Sequence, residues 1–335
     1  MDTAPSIPRF KLLELPMLEL SGSSIDITPL LTLALLFLLA LHGLLSAKRK
    51  WLWRLCVQSL SLFMFVFAAH QTMCVLRSWV FGFQAVGKND TIAFALLHIA
   101  VALVFIALLG GAIFCGWLCP VGALQEWLGR LSSWAKEHID EKRSFYLDFA
   151  LSILVILMMV WLAYEYAPAN FFFSENVSII FTVIGFLGLP LLLLIPSLDQ
   201  KFRRFRYVSL FGRLAIILIG IHTTNPGCTI YETEVDYSAA ISFLGVIVAT
   251  GVLSRAYCRY ICPFGGVFGL FSRVSLLKIR HENSPCKRSC GRCKQVCPVG
   301  ALKEGEVDDS ACIRCGRCLE NCQARVDFDF GGDEN

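Results

Sequence analysis

Apolar residues come in long, nearly unbroken runs along most of the chain, and polar residues gather in short clusters between them. The runs cover about Leu30 to Ala47, Leu55 to Leu76, Thr91 to Phe114, Tyr146 to Tyr166, Ile179 to Leu198, Val208 to Thr224 and Ala239 to Arg255. Each has roughly the 17 to 25 residues that let a helix cross a bilayer. The pattern therefore predicts an α-helical integral membrane protein with about seven spans. The first run has no basic stretch before it and no small-residue cleavage site after it, so it reads as a retained helix rather than a signal peptide. From about Ser272 onward the long runs stop and polar residues dominate, which predicts a separate small domain. The expected organisation is an N-terminal segment at 1–28, a transmembrane domain at 29–271 and a C-terminal domain at 272–335.

Composition supports that reading. Of 335 residues, 56% are apolar and 17% charged, against a charged share of about 25% in soluble domains. A net charge of +4 then says little about acidic partners. The Lys and Arg residues instead distribute by loop. Lys48, Arg49, Lys50 and Arg54 lie in the first, Arg130, Lys136, Lys142 and Arg143 in the third, and Lys201, Arg203, Arg204 and Arg206 in the fifth. The second has Arg77 and Lys88, and the fourth and sixth have none. The asymmetry makes the odd loops cytoplasmic, with the N-terminus outside and the C-terminal domain inside, in the cytoplasmic membrane of a bacterium or archaeon. Lipid is the expected surroundings, and nothing points to nucleic acid.

Fifteen cysteines change the picture. Most lie in short repeats with metal-ligand spacing, which argues against a secreted disulfide framework. One pair closes the third run in "FCGWLCPVGAL", with Cys115 and Cys119 four positions apart on one helix face and Pro120 ending the helix. A second pair, Cys258 and Cys262 in "YCRYICPFGG", closes the seventh run in the same way. Each pair is preceded by a helix that begins in a basic stretch and ends in a His and Cys cluster, His70 with Cys74 and His222 with Cys228. This is a degenerate internal repeat. A pseudo-two-fold axis along the membrane normal would gather Cys115, Cys119, Cys258 and Cys262 at the inner face. Four thiolates suit an iron–sulfur cluster or zinc.

The tail reads Cys286-x3-Cys290-x2-Cys293-x3-Cys297-Pro298, then Cys312-x2-Cys315-x2-Cys318-x3-Cys322. The second run matches the bacterial ferredoxin pattern and the first carries one extra residue after Cys286. In two-cluster ferredoxins the fourth cysteine of each run serves the other cluster. The expected ligands are therefore Cys286, Cys290, Cys293 and Cys322 for one [4Fe–4S] cluster, and Cys312, Cys315, Cys318 and Cys297 for the other. Zinc ribbons use separated Cys-x2-Cys knuckles instead of interlocked triplets, so iron and sulfur fit better. The fold expected is a small cytoplasmic α+β ferredoxin of bacterial type. The hexapeptide Cys-Pro-Val-Gly-Ala-Leu occurs at 119–124 and again at 297–302, which extends the iron–sulfur reading to the first pair.

The order of basic helix, Cys-x3-Cys-Pro, further helices, Cys-x3-Cys-Pro and a two-cluster tail resembles the membrane ferredoxin-type family of NapH, MauN and the membrane part of NosR. The resemblance runs from about Arg54 to Cys322, and "RLC" at 54–56 followed by Gln58 looks like the start of the first NapH helix. It implies electron transfer between the quinone pool or cytoplasmic donors and periplasmic redox enzymes, as a component of a quinol dehydrogenase or similar oxidoreductase complex. It also carries the cluster ligands onto the twelve cysteines named above. The chain departs from NapH in its larger number of spans and from NosR in having no large outer flavin domain.

Other residues carry competing readings. Cys56, among apolar neighbours, reads as packing. Cys74 and Cys228, with His70 and His222, could form a disulfide, a further outer-face redox centre with histidine ligands, or neither. His42 and His98 lie inside predicted spans, where they would ligate haem, meet a quinone oxygen or bond a neighbouring helix. Phe171 to Phe173 read as an interfacial belt, and Gln125 to His138 as an amphipathic surface helix. No nucleotide fingerprint, phosphate loop or hydrolase triad is found, so flavin or nicotinamide chemistry would belong to a partner. The leading function is a membrane-embedded electron-transfer subunit working with other redox subunits. The rival is a maturation factor that supplies electrons or metal to another metalloenzyme.

Overall fold

A computed structural model describes residues 7–8, 19–20, 23–24, 28–46, 48–68, 91–165, 177–218, 234–235, 237–281, 296–303, 306–321 and 324–328. Helices dominate, and the strands described pair antiparallel in two-stranded ladders. The chain divides into two compact units, one of Met1–Phe10 with Leu124–Gly266 and the other of Lys11–Ala123 with Val267–Asn335.

In the first unit the helix Glu141–Glu165 packs against both Val177–Leu194 and Tyr237–Val252. Lys136, in the last turn of the helix Pro120–Lys136, reaches Asp148 and donates to the carbonyls of Gly251 at 2.9 Å and Val252 at 3.2 Å. It thereby caps the end of Tyr237–Val252, where unpaired carbonyls and the negative pole of the helix dipole favour a cation.

In the second unit the helix Thr28–Leu45 buries Leu33, Leu36, Phe37, Ala40 and Leu44, spaced three and four apart, while Leu31, Leu35 and Leu38 stay exposed. The helix Lys50–Leu62 runs on into a π-helical turn at Phe63–Ala68. Another helix, Thr91–Gly110, leads to the π-turn Phe114–Leu118. The tail is tied together by the strand Leu277–His281, which pairs antiparallel with Ala324–Phe328 in the register Ile279 to Val326. A short hairpin of Leu302–Lys303 and Glu306–Val307 completes it.

The expectation of about seven membrane spans is corrected by the structure. Among the described residues, no helix is long and apolar enough to cross a membrane. The described helix of the sixth run is Phe205–Leu218, and a hydrocarbon core is about 30 Å thick. The seventh becomes Tyr237–Val252, of 16 residues, about 24 Å. The second opens on Lys50 and carries a buried polar stripe of Arg54, Gln58 and Ser61. Composition counts apolar residues and does not see where a helix breaks.

The assignment to a cytoplasmic membrane with the N-terminus outside falls with it, because no described helix is long and apolar enough to cross, and several of the charges read as loop labels are buried or paired. Arg54, Arg203 and Arg206 are buried, Arg203 pairs with Asp199, and Lys136 pairs with Asp148. Cys56 is also corrected: it is exposed. The stripe Arg54, Val57, Gln58 and Ser61 is the buried face of its helix, and Cys56 lies off that face.

Candidate metal centre

The tail places Cys297, Cys312, Cys315 and Cys318 around one small pocket in the second unit, with Ile279, Val299, Leu302 and Ile313 among its other walls. These come from distant parts of the tail. The hairpin brings them together, since Asp308 donates its N–H to the Ala301 carbonyl at 2.8 Å and accepts at its own carbonyl from Cys312 at 2.9 Å. Backbone with positive φ then wraps the cysteines, at Gly300 (59°), Arg314 (53°) and Gly316 (76°). Alternation of right- and left-handed residues turns successive N–H groups inward, a concavity suited to anionic sulfur. The N–H of Ala301 donates to Cys297 Sγ at 3.2 Å.

The electrostatics fit a bound cluster. Burial pushes the Cys312 thiol up to about 11, against the pull of the Arg314 guanidinium beside it. Burial also raises Cys318, helped by the neighbouring Cys315, Cys312 and Cys297. Cys297 is raised by burial and by Cys315, while backbone N–H groups of Ala301, Val299 and Leu302 oppose the rise. Four crowded, buried thiols become thiolates when a cationic metal core supplies the missing charge. Among the described residues, no three His, Cys, Asp or Glu side chains close on one point as a single metal ion would need. A four-iron cube is wider than an ion: each thiolate binds its own iron, so the sulfurs stand around a cavity. The donor set fits such a cube better than zinc.

Arg314 anchors this loop. It is fully buried, and its Nη1 meets Asp309 Oδ1 at 2.7 Å. Its Nη2 reaches the Ser272 carbonyl at 3.3 Å. Asp309 also receives Lys278 at 3.3 Å.

Cys115 packs against this same core. The π-turn that carries it lies directly on the cysteine loop: the indole N–H of Trp117 donates to the Arg314 carbonyl at 2.9 Å. A Cβ on Gly116 would stand 2.1 Å from the Ile313 carbonyl oxygen, so only glycine fits there. From the other side, Arg54 Nε at 2.9 Å and Gln58 Nε2 at 3.1 Å donate to the Gly116 carbonyl, and Ser61 donates to that of Leu118.

Both Cys-x3-Cys-Pro motifs share one local geometry. The N–H of Cys119 bonds the Phe114 carbonyl at 2.8 Å, and that of Cys262 bonds the Tyr257 carbonyl at 2.9 Å, each five residues back. Pro120 and Pro263 are then the first residues of new helices, where a missing N–H costs nothing. The proline thus separates two helices and sets the second cysteine at the corner. Sulfur at each motif has a donor: Gly122 N–H to Cys119 Sγ at 3.4 Å, and Gln125 Nε2 to Cys258 Sγ at 3.2 Å within the first unit. Close by in that unit, the buried pair Glu126 and Arg255 meets at 2.6 Å. Asp199 binds Arg259 at 2.8 Å and the Tyr260 hydroxyl at 2.6 Å, which ties the short helix Ala256–Tyr260 to the chain before Phe205.

Cys286, Cys290, Cys293 and Cys322, and the group of His70, Cys74, His222 and Cys228, lie outside the described residues, as do Phe171 to Phe173. His42 and His98 are exposed; the His42 ring meets Trp53 edge-on at 5.4 Å. Sequence reasoning missed Trp117, Gly116, Gln125 and Arg314. The available signal was Arg54, Gln58 and Ser61, a polar stripe at helical spacing inside an apolar stretch.

The 4Fe-4S binding domain family matches residues 92–137 and 235–281, the two segments that hold the Cys-x3-Cys-Pro motifs. Together with the tail pocket this defines an iron–sulfur protein. The uncharacterized protein MJ0749 of Methanocaldococcus jannaschii is 24% identical over 230 residues, 67% of this chain and 65% of that protein. YccM of Escherichia coli, named as a candidate electron transport protein, is 24% identical over 248 residues, 73% of this chain and 58% of YccM. The ferredoxin-type protein NapH of Haemophilus influenzae is 22% identical over 258 residues, 72% of this chain and 71% of NapH. With MauN and NosR also among its relatives, the chain is similar to the ferredoxin-type proteins NapH and MauN and to NosR. The match spans less than two thirds of the length of MJ0749 and YccM. No solved structure matches the chain.

Proposed function

We propose that this chain carries electrons through iron–sulfur clusters to or from other redox proteins. Cys297, Cys312, Cys315 and Cys318 hold one [4Fe–4S] cluster, and Cys286, Cys290, Cys293 and Cys322 a second. The Cys-x3-Cys-Pro pairs, Cys115 with Cys119 and Cys258 with Cys262, serve as further iron–sulfur ligands. The observation that carries the reading is the lining of one buried tail pocket by four cysteines from two separated runs. The ferredoxin spacing calls for that interlocking set. The names of YccM and NapH support the same reading.

The cluster supplies one-electron chemistry when bound; the chain's own residues hold and tune it. Ala301, Gly122 and Gln125 give sulfur its hydrogen bonds, apolar walls of Ile279, Val299 and Ile313 exclude water, and Arg314 sets a fixed positive charge beside Cys312. In the test, anaerobically purified chain is reduced with dithionite, freed of excess reductant and mixed with an oxidised viologen. Recovery of several electrons per chain supports electron carriage; recovery of none contradicts it.

A further inference from the structure

Two cations are buried beside the cysteine loop of the tail and share one carboxylate. Arg314, at 0% exposure, lies between Cys312 and Cys315, and Lys278, at 3%, comes from the strand Leu277–His281. Asp309 takes both: Arg314 Nη1 reaches Oδ1 at 2.7 Å and Lys278 Nζ reaches Oδ2 at 3.3 Å. Arg280, half exposed, stands farther from Asp309 at 3.8 Å. The two buried cations also share a neutral acceptor, the Ser272 carbonyl, at 3.3 Å from Arg314 Nη2 and 3.1 Å from Lys278 Nζ. The helix Thr91–Gly110 ends against the same guanidinium, since a Cβ on Gly111 would stand 3.2 Å from Arg314 Nε. The negative pole of a helix favours a cation, but one carboxylate and one helix end do not cancel two full charges.

Buried cations are costly unless matched. Anchoring the loop would need one cation for one carboxylate, which Arg314 and Asp309 already provide. Lys278 adds a second charge to a carboxylate that is already paired. What meets the excess is the neighbouring pocket: the Arg314 guanidinium lies beside Cys312, and Ile279, next in chain to Lys278, lines the same cavity as Cys297, Cys312, Cys315 and Cys318. Thiolate ligands make an iron–sulfur group negative overall, and an added electron makes it more so. We propose that Arg314 and Lys278, partly offset by Asp309, form a fixed counter-charge that favours the reduced state of this site and so raises its potential. The proposal rests on the ligand reading above. Arg314 acts from beside the cysteines, while Lys278, on the other face of its strand from Ile279, acts from farther away. Reduction adds one electron, supplied by dithionite in the test below, and breaks no bond in the chain.

The test is a redox titration of the anaerobically purified chain, followed by electron paramagnetic resonance, with iron and sulfide measured on every sample. The signal of this site is the one that Cys312→Ser with Cys315→Ser abolishes. If that double variant keeps every signal, the ligand reading fails and the proposal with it. Arg314→Gln weakens the preference for the reduced state about tenfold, a fall of about 59 mV for one electron. Arg314→Lys, which keeps the charge, recovers most of that fall. Lys278→Met lowers the potential by less, and Asp309→Asn, which removes the shared carboxylate, raises it. Shifts of opposite sign at parent iron content report charge, because lost packing has no reason to reverse with the sign of the group removed. Unshifted potentials, or shifts of one sign in every variant, overturn the proposal. Lys278→Met and Asp309→Asn decide the matter if Arg314→Gln fails to hold iron.

Discussion

The indole N–H of Trp117 donates to the carbonyl of Arg314 at 2.9 Å, joining positions 197 residues apart. Both residues are fully buried, so the bond has no water to replace it. Trp117→Phe leaves the Arg314 carbonyl unsatisfied, which costs about 1–3 kcal/mol. Chemical denaturation of the cluster-loaded protein should show a lower midpoint with little change in slope. An unchanged midpoint would mean that the carbonyl finds another donor.

Gly116 gives a sharper test of the same contact. A Cβ there meets the Ile313 carbonyl at 2.1 Å, and backbone on both sides cannot yield as a flexible side chain would. Gly116→Ala should displace the Cys312 loop and reduce the iron retained by the tail. Iron analysis after desalting reads this directly, and full retention would show that the loop can move aside.

Glu126 and Arg255 are a buried ion pair, at 1% and 0% side-chain exposure. Removing one partner of such a pair leaves an uncompensated charge and costs about 3–5 kcal/mol. Glu126→Gln should therefore destabilise strongly, and Glu126→Leu combined with Arg255→Met should recover much of the loss. If the double variant is as unstable as the single one, the pair has a role beyond charge compensation.

Acid should loosen the short helix Ala256–Tyr260 that carries Cys258. Burial alone would raise the Asp199 carboxyl, but Arg259, Arg203 and the Tyr260 hydroxyl together hold it below its ordinary value. A carboxyl lower in the folded than in the unfolded chain contributes stability that is present above about pH 4 and is lost as pH falls toward its folded value. Asp199→Asn should be less stable than the parent near neutral pH and should flatten the fall of stability in acid. Parallel acid profiles for the two proteins would show that Asp199 is not a source of that fall.

Gln125 donates to Cys258 Sγ at 3.2 Å. Hydrogen bonds to ligand sulfur favour the more negative, reduced state of an iron–sulfur centre. Gln125→Leu should lower the midpoint potential of the centre that uses Cys258, read by a redox titration, and leave the tail potentials unchanged. A shift confined to the tail signals would separate Gln125 from that centre.

The local chemistry was legible in sequence, and the surroundings were not. Cysteine spacing pointed to Cys297 with Cys312, Cys315 and Cys318, because the ligand pattern is short-range and covalent geometry limits it. The Cys-Pro corners at Pro120 and Pro263 were legible for the same reason, as proline acts on its immediate neighbours. The shared hexapeptide adopts two conformations: at Pro120 it begins a helix, while at Gly300 it turns with positive φ. Apolar runs overstated the length of a helix, because hydropathy does not register the break after Val252. Charges read as loop labels, such as Arg54 and Lys136, serve long-range bonds that no spacing rule encodes.

The central claim is that Cys297 completes a four-iron site with Cys312, Cys315 and Cys318. Iron and acid-labile sulfide per chain, measured on anaerobically purified parent and on a Cys312→Ser, Cys315→Ser variant, test it most directly. The account predicts a loss of about four iron and four sulfide in the variant and disappearance of one reduced-state signal. Iron and sulfide equal to the parent's, with the same spectrum, would contradict it.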